Sequence, residues 1–590
     1  FTKRKSLSYV YDILMNYFIP HIGELNFKDK AIYIGTIVMK LLKVFNEEEK
    51  PTDRDSFKFK RVELPGTLLY DLFKEYYNLM QQDVFKRFDN EYFYHEAEYE
   101  GLDENEIPKF IRLITNNYLE FFREKGMSVD EGFRKAFKGN WGAQTHTKKV
   151  GVVQDLNRLS FNSALSQKRK LSLPLDSSSK DPKPHLLHGS QWGLVDPVDT
   201  PDGANVGLHK HLAISTRITK GYSIKELLKW MRNYGKLIML SETSLKYMAY
   251  YTKVYINGSL VGIVTEILDF INLFKKYKRL NCIPLFTSYS WNINDNSIEF
   301  YTDSGRLIRP LFYVENNKSS VDDKQLLLKI KNRDFTWSDL ICGFNKKKID
   351  DFNVNDNKFY DIKHLYGEKK EEELMKNLCV IDYVDSNEAN TSMVSVESMD
   401  FKESKIKFTH HEIHPSFLLG IMGNQITFPE NNQLPRDLFS CGQSKQAVSL
   451  YHTNFNNRID KFGVILNYGQ IPLVKSRYMK YINNEEHPYG ENTIIAIMSY
   501  NGYNVEDAVL INKGAVDRGL FRTTYFNSYE TMEESKDVSN LSNGSKFTNI
   551  LDLENIKGMR PEYNYSYLDE YGLVKENVEL NDSIALVGKV

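Results

Sequence analysis

An α+β multidomain fold is predicted by three observations: the length of the chain, helical periodicity in its first part, and a turn signal for a β-hairpin further on. The 590 residues exceed what one hydrophobic core organises, and about three to six domains are expected. With 41% hydrophobic and 13% aromatic residues, the chain can build cores, which excludes global disorder.

The elements follow in order. In "GTLLYDLFKEYYNLM" apolar residues recur at Leu68, Leu69, Leu72, Phe73 and Tyr76, the spacing of a helix with one buried face. "AIYIGTIVMKLLKVF" (31–45) is apolar nearly all round and is expected to be a core helix. From about Gly139 the texture changes to short Gly- and Pro-punctuated segments with basic clusters, Lys148-Lys149 and Lys168-Arg169-Lys170. "LPLDSSSKDPKP" (173–184) must be an exposed loop, since its Pro and Ser content rules out a regular element. "KVYINGSLVGIV" places Asn257-Gly258 between two β-rich runs. A type I′ turn needs φ > 0 at both central residues, so this is a hairpin signal, and a β-containing module starts after about residue 212. Between roughly 318 and 405 the chain is rich in Asn, Lys and Glu ("NKKKIDDFNVNDNKFYD", "GEKKEEEL") and reads as a solvated peripheral module without chemistry. The closing "DSIALVGKV" reads as a strand, and with Phe1 in place of an initiator Met the expectation is a piece of something larger.

Charge and cysteine content narrow the function classes. Lys+Arg 77 against Asp+Glu 78 gives a net charge of -1, so a polyanion partner must be held by local basic patches. The four cysteines, Cys282, Cys342, Cys379 and Cys441, include no C-x-x-C pair. That argues against a zinc ribbon, and the low count fits a reducing, intracellular compartment. No apolar run approaches the roughly 18 residues of a membrane span.

Four constellations invite chemistry. "THHEIH" (409–414) sets His410 and His414 four apart, but Pro415 disfavours a helix there, so a polar strand or turn is expected over a metal site. "GNWGAQTHTKK" and "LSQKRKLSLPL" read on composition as basic surface loops. "LPRDLFSCGQSKQAV" (434–448) gathers Arg436, Gln443, Lys445 and Gln446 beside small residues, a combination suited to phosphate and sugar oxygens. Glu506 and Asp507 stand side by side after "NGYN". In an extended strand they would face opposite ways, whereas a strand–loop junction can bring them together. A solvated turn and a Mg²⁺ site are both open, because hard oxygen donors suit Mg²⁺, which takes only one or two protein carboxylates. Neither a P-loop nor G-x-G-x-x-G is present.

Longer stretches carry a resemblance. "GNWGAQ" followed by "QDLNRLSFNSALSQKRK", then "WGLVDPVDTPDGANVGLHKHLA" (192–213), "HPSFLLGIMGNQITFPENNQLPRDLFSCGQSKQAV" (414–448) and "YNGYNVEDAVLINKGAVDRGLF" (500–521) are together, and in this order along the chain, similar to signatures of the second-largest, β-like subunit of multisubunit DNA-directed RNA polymerases. "DRDSFKFKRVELPGTLL" (53–69) extends the match towards the start. The pattern resembles the eukaryotic, archaeal and large-DNA-virus branch. The family's P-x-E-T-P-E-G stands here as Pro197-Val-Asp-Thr-Pro-Asp-Gly203, both Glu shortened to Asp, which points to a divergent lineage such as a large DNA virus.

The resemblance implies a domain order: lobe over 1–60, protrusion over 61–130, fork over 131–211, external modules over 212–317 and 318–420, the first part of the hybrid-binding domain over 421–522, and the start of the wall over 523–590. The family's later hybrid-binding lysines and zinc-containing clamp would lie outside this chain. It also implies roles. Glu506 and Asp507 match an acidic pair near the second Mg²⁺ of a two-metal phosphoryl transfer, Asp507 the nearer. Arg436 matches the arginine that meets the triphosphate. Lys445 and Gln446 match positions near the RNA of the hybrid. The fork loops, about 143–149 and 171–183, bring Lys148, Lys149, Lys168, Arg169, Lys170, Lys180 and Lys183 to DNA backbone. The partners implied are the largest polymerase subunit, smaller subunits, DNA template, RNA–DNA hybrid and nucleoside triphosphates, in a nucleus, or in cytoplasm or virion for a virus. The competing reading is a non-catalytic nucleic-acid-binding scaffold derived from such a subunit.

Overall fold

The computed structural model describes residues 3–94, 128–175, 177–178, 181–342, 378–397, 405–482, 485–533, 544–554 and 556–590. The Asn/Lys stretch 345–361, the Glu-rich stretch 367–374 and Lys180 lie outside the described residues.

The first part is helical, as the periodicity predicts. Helices α1 (Lys3–Asp12), α2 (Phe27–Phe45) and α3 (Pro65–Tyr94) are followed by α4 (Ser128–Phe137) and the short α5 (Phe161–Gln167). α3 buries Leu72 and packs Leu68, Leu69 and Tyr76 against Phe133, Ala136 and Trp141. Gly132 of α4 permits the approach, because a Cβ there would lie 2.5 Å from the Tyr76 ring. Phe73 departs from the expected buried face and stacks on Tyr77 at 5.6 Å. The larger correction is α2. It is not a core helix: among its apolar residues Leu41 is 66% and Phe45 82% exposed. Its one buried residue is Lys30, whose ammonium donates to the Leu14 carbonyl at 2.6 Å. Apolar residues all round a helix show what it could bury; the packing partner must be supplied elsewhere.

Two sheets organise the middle of the chain. The first has strand order β4 (Ile238–Met239), β6 (Ser259–Val264), β5 (Thr252–Ile256), β8 (Ser297–Tyr301), β7 (Ser288–Asn292). Helices α6 (Ile224–Asn233) and α7 (Ile267–Arg279) cover it, and Trp230, Phe274, Ile298 and Phe300 form the centre of the core. The predicted hairpin is present: β5 and β6 pair antiparallel about Asn257 (φ 48°) and Gly258 (φ 83°). The turn also touches α2, for a Cβ on Gly258 would lie 3.3 Å from Tyr33. Gly258→Val should therefore destabilise this module by roughly 1–2 kcal/mol, the strain of a side chain at positive φ. Faster hydrogen exchange of the β5 and β6 amides is the expected readout, and unchanged protection would contradict it.

The second sheet is built on β9 (Leu307–Glu315), which pairs with β3 (Arg217–Ile218), β10 (Lys318–Ser319), β11 (Ile381–Asp385) and β13 (His410–His411), while β12 (Val394–Ser395) pairs with β13. Here the expectation of a solvated module over 318–405 is overturned for its described end. β11 is buried at all five positions, and helix α8 (Ser386–Asn390) follows it inward. Its acids meet buried cations: Asp382 with Arg279 at 3.0 Å, Asp385 with Arg306 at 3.0 Å, and Glu388 with Lys278 at 3.3 Å. His410 and His411 form a buried strand, the polar strand expected, and His414 caps a short turn by accepting from the Ser416 N–H. The closing residues contradict the strand expectation: Ile584, Val587 and Lys589 make isolated bridges.

Candidate nucleic-acid and nucleotide site

The residues singled out in 434–448 lie on helix α9 (Leu434–Gln446), with Pro435 in its first turn where no N–H is needed. Cys441 and Asp437 face inward. Arg436 is exposed, its guanidinium 5.7 Å from the Phe439 ring one turn on, and Gln446 is exposed at the far end.

α9 is clasped to the segment 160–213. The Ser160 hydroxyl donates to the Lys445 carbonyl at 2.6 Å, and the Asn162 and Gln425 amides exchange hydrogen bonds at 3.2 Å. The Lys445 ammonium reaches Asp199 at 2.5 Å, and His211 contacts the same carboxylate at 3.3 Å. Lys445 therefore ties two segments together as well as lying on the candidate face. A second clasp is Asp196. One carboxylate oxygen accepts the N–H groups of Gly420 (2.8 Å) and Gly423 (3.2 Å), and the other accepts that of Val198 at 3.0 Å. A side chain on either glycine would collide with this carboxylate. Burial, reinforced by nearby Asp199, pushes the Asp196 carboxyl up to about 7 against the pull of those three N–H groups. Burial pushes the His211 imidazole down.

Sequence reasoning did not single out Ser160, Asn162, Asp196 or His211, and it noted Asp199 only as a shortened acid of the Pro197–Gly203 motif. The available signal was the Pro-flanked acid run 196–203, where carboxylates in irregular backbone seek N–H partners.

The basic residues separate by environment. Lys148 and Lys168 are exposed. Lys149 pairs with Glu63 at 2.5 Å. The loop before them is shaped by Glu75 of α3, which accepts the Gln144 N–H at 3.0 Å and the Thr147 hydroxyl at 2.6 Å. Arg169 turns inward and donates to the Ala213 carbonyl at 2.7 Å. Lys170 is exposed on strand β1 (Lys170–Ser172), and Lys183 is exposed in a short turn whose N–H is held by Asp181 at 3.1 Å.

Glu506 and Asp507 are exposed and stand apart from these clasps in the order of the chain. The backbone departs from the strand–loop junction expected. Residues 491–512 contain no strand, and both acids lie in the left-handed region, at φ 58° and 63°. The opposite-face geometry of an extended strand does not apply there. Two adjacent non-glycine residues in this region carry strain of the kind that collects at functional sites. The preceding turn is pinned by Asn504, whose amide donates to the Met498 carbonyl at 2.6 Å and accepts the Tyr500 N–H at 3.1 Å. Among the described residues neither acid has a cationic partner, so both keep their oxygens available. Two free carboxylates match the donor set one Mg²⁺ draws from protein. No group of three or more His, Cys, Asp or Glu among the described residues could hold a metal by itself.

Comparison with known proteins places the chain first in a class. Residues 154–218, 254–315 and 422–590 match the families described as RNA polymerase Rpb2 domain 3, domain 4 and domain 6. The DNA-directed RNA polymerase II subunit RPB2 of Encephalitozoon cuniculi is 31% identical over 98% of this chain and 46% of its own length. DNA-directed RNA polymerase subunit Rpo2 of Sulfolobus acidocaldarius is 29% identical over 98% of this chain and 46% of its own. DNA-directed RNA polymerase subunit 2 of Acanthamoeba polyphaga mimivirus is 29% identical over 99% of this chain and 47% of its own. The chain belongs to the family of second-largest, β-like subunits of multisubunit DNA-directed RNA polymerases. It spans about half the length of the curated relatives it matches. No helix among the described residues is long and apolar enough to cross a membrane.

Proposed function

We propose that this chain, together with a largest polymerase subunit, builds the active centre for template-directed RNA synthesis from nucleoside triphosphates by two-metal phosphoryl transfer. The observation that carries the reading is the family match over nearly the whole chain with Arg436, Glu506 and Asp507 retained inside their motifs. α9, held by Ser160, Asn162 and Asp199, fixes the helix from which Arg436 projects. In this reading the guanidinium meets the triphosphate and offsets charge developing on the leaving pyrophosphate. Glu506 and Asp507, Asp507 the nearer, would hold the second Mg²⁺, which when bound neutralises phosphate charge and orients the triphosphate. Gln446 and Lys445 would lie along the RNA of the hybrid. Lys148, Lys149, Lys168, Lys170, Lys180 and Lys183 would face DNA backbone, contacts that position the duplex without reading its sequence, whereas Arg169, expected there from the sequence, is turned inward onto the Ala213 carbonyl and would brace the loop instead. The domain order from lobe to wall is part of the same proposal, as are the further polymerase subunits as partners. So is an intracellular setting: nucleus, or cytoplasm or virion for a virus.

Co-purification with a largest-subunit partner followed by primer extension tests this reading. Extension by the assembly and none by the isolated chain is expected. An assembly that binds template yet never extends would favour the scaffold reading. Within the active assembly, Arg436→Ala should raise the KM for nucleoside triphosphate by about tenfold or more while template affinity stays within about twofold. Equal losses in both would remove Arg436 from the triphosphate.

A further inference from the structure

Six lysine or arginine side chains are buried among the described residues: Lys30, Lys210, Lys278, Arg279, Arg306 and Arg309. Five have acceptors. Lys30 has backbone carbonyls, and Lys278, Arg279, Arg306 and Arg309 have carboxylates. Lys210 is the exception. It is 7% exposed, and no carboxylate, carbonyl or hydroxyl among the described residues accepts from its ammonium. The Lys210 ammonium is not among the fully enclosed polar atoms that lack a partner, so the little surface this side chain shows includes its head, where an anion can reach it. Buried cations are otherwise paired.

The register of β1 with β2 (His209–His211) explains where Lys210 points. The ribbon is antiparallel, with Leu171 opposite Lys210 and Lys170 opposite His211. Alternation sends His211 and Lys170 to the face that meets Asp199 and Lys445. Lys210 therefore shares the other face with Leu171, which packs on the same cluster of Leu194, Val195, Leu212 and Leu307 as Phe57 and Val62 do. Lys60 lies between those two in sequence, half-buried, with its ammonium 5.5 Å from the Phe57 ring. Burial and then the charge of Lys60 push the Lys210 ammonium down to about 8. Burial pushes Lys60 down as well, against the pull of Asp55 and Asp53, the latter already held by His188 at 2.7 Å.

We propose that Lys60 and Lys210 form a binding site for a phosphate group, on the face of the β1–β2 ribbon opposite the one that clasps α9. Two ammonium groups, one of them without any internal acceptor, match a phosphate better than a single carboxylate, which would leave one charge uncompensated. Lysine serves phosphate as a point charge and needs no bidentate geometry. The phosphate can come from a free or terminal phosphate or from a nucleic-acid backbone, and the two sources are separable.

The test is calorimetric titration of the full chain with inorganic phosphate at pH 8, repeated in two buffers of different ionisation heat. Because an anion restores the charged form of Lys210, wild-type binding should take up about half a proton. Lys210→Met and Lys60→Met should each weaken binding by about tenfold, and Lys210→Met should abolish the proton uptake. Two variants on separate segments guard against a folding defect in either. A parallel titration with a dinucleotide bearing only its internal phosphodiester separates the sources. Lys210-dependent binding of it assigns backbone phosphate; binding of inorganic phosphate alone assigns a free or terminal group. Equal phosphate affinity and equal proton uptake in wild type and both variants would overturn the site, as would no binding by the wild type.

Discussion

Alanine at both Glu506 and Asp507 is expected to slow nucleotide addition by about a hundredfold in the assembled polymerase, an effect of the size seen when one charge-stabilising group is removed from a reacting centre. Both carboxylates are exposed, and among the described residues neither is engaged by a cation. Their removal should leave folding and subunit assembly intact. The same freedom predicts a raised Mg²⁺ requirement, because the ion would lose its protein donors and keep only water and phosphate. Asp507→Ala alone should account for most of the loss and Glu506→Ala for less. Single-turnover extension across a Mg²⁺ titration measures both effects; wild-type rates at every Mg²⁺ concentration would dissociate the pair from the metal.

Asp382→Ala is expected to destabilise the β9 sheet by about 3–5 kcal/mol, the range for breaking a buried ion pair from one side. Burial alone would push this carboxyl up, but Arg279, aided by His410 and Lys278, holds it well below the usual carboxylate range. Arg279 stacks 3.6 Å from the Tyr313 ring and also reaches Glu315, so the lower end of that range is the better expectation. The pH dependence follows from the depressed pKa. The unfolded chain binds the proton first, so the stabilisation is present in full above about pH 5 and is lost as pH falls through the ordinary carboxylate range and below. The difference in unfolding midpoint between wild type and Asp382→Ala should therefore shrink on acidification. A gap that widened on acidification would reverse the assignment.

Local chemistry made part of this molecule readable. The Asn257-Gly258 turn lies where its sequence puts it, because positive φ at two successive residues is a property of those residues. The face of α3 was readable for the same reason, since its period is internal to one helix. What failed depended on partners far away in sequence. Asp382, Asp385 and Glu388 read as solvent-facing, yet their cations lie 103, 79 and 110 residues away. α2 reads as a core helix because apolar content carries no information about what covers it. The candidate site divides in the same way. Arg436, Lys445, Glu506 and Asp507 were reached through motif resemblance, since composition left the acidic pair open between a solvated turn and a metal site. Asp196 and Ser160 escaped notice because their partners, Gly420 and Lys445, are 224 and 285 residues away.

Those separations also set a timetable for synthesis. Lys445 and Asp199 are 246 residues apart. At a translation rate of roughly 5–20 residues per second, the acid leaves the ribosome about 12–50 s before its lysine. The hairpin sheet and much of the β9 sheet emerge in that interval, and their contacts are mostly more local. They can mature while Asp196, Asp199 and Ser160 wait uncapped. The clasp on α9 is thus a late event in the life of the nascent chain, and a ribosome stalled within the β9 sheet would hold the segment 160–213 without the helix it secures.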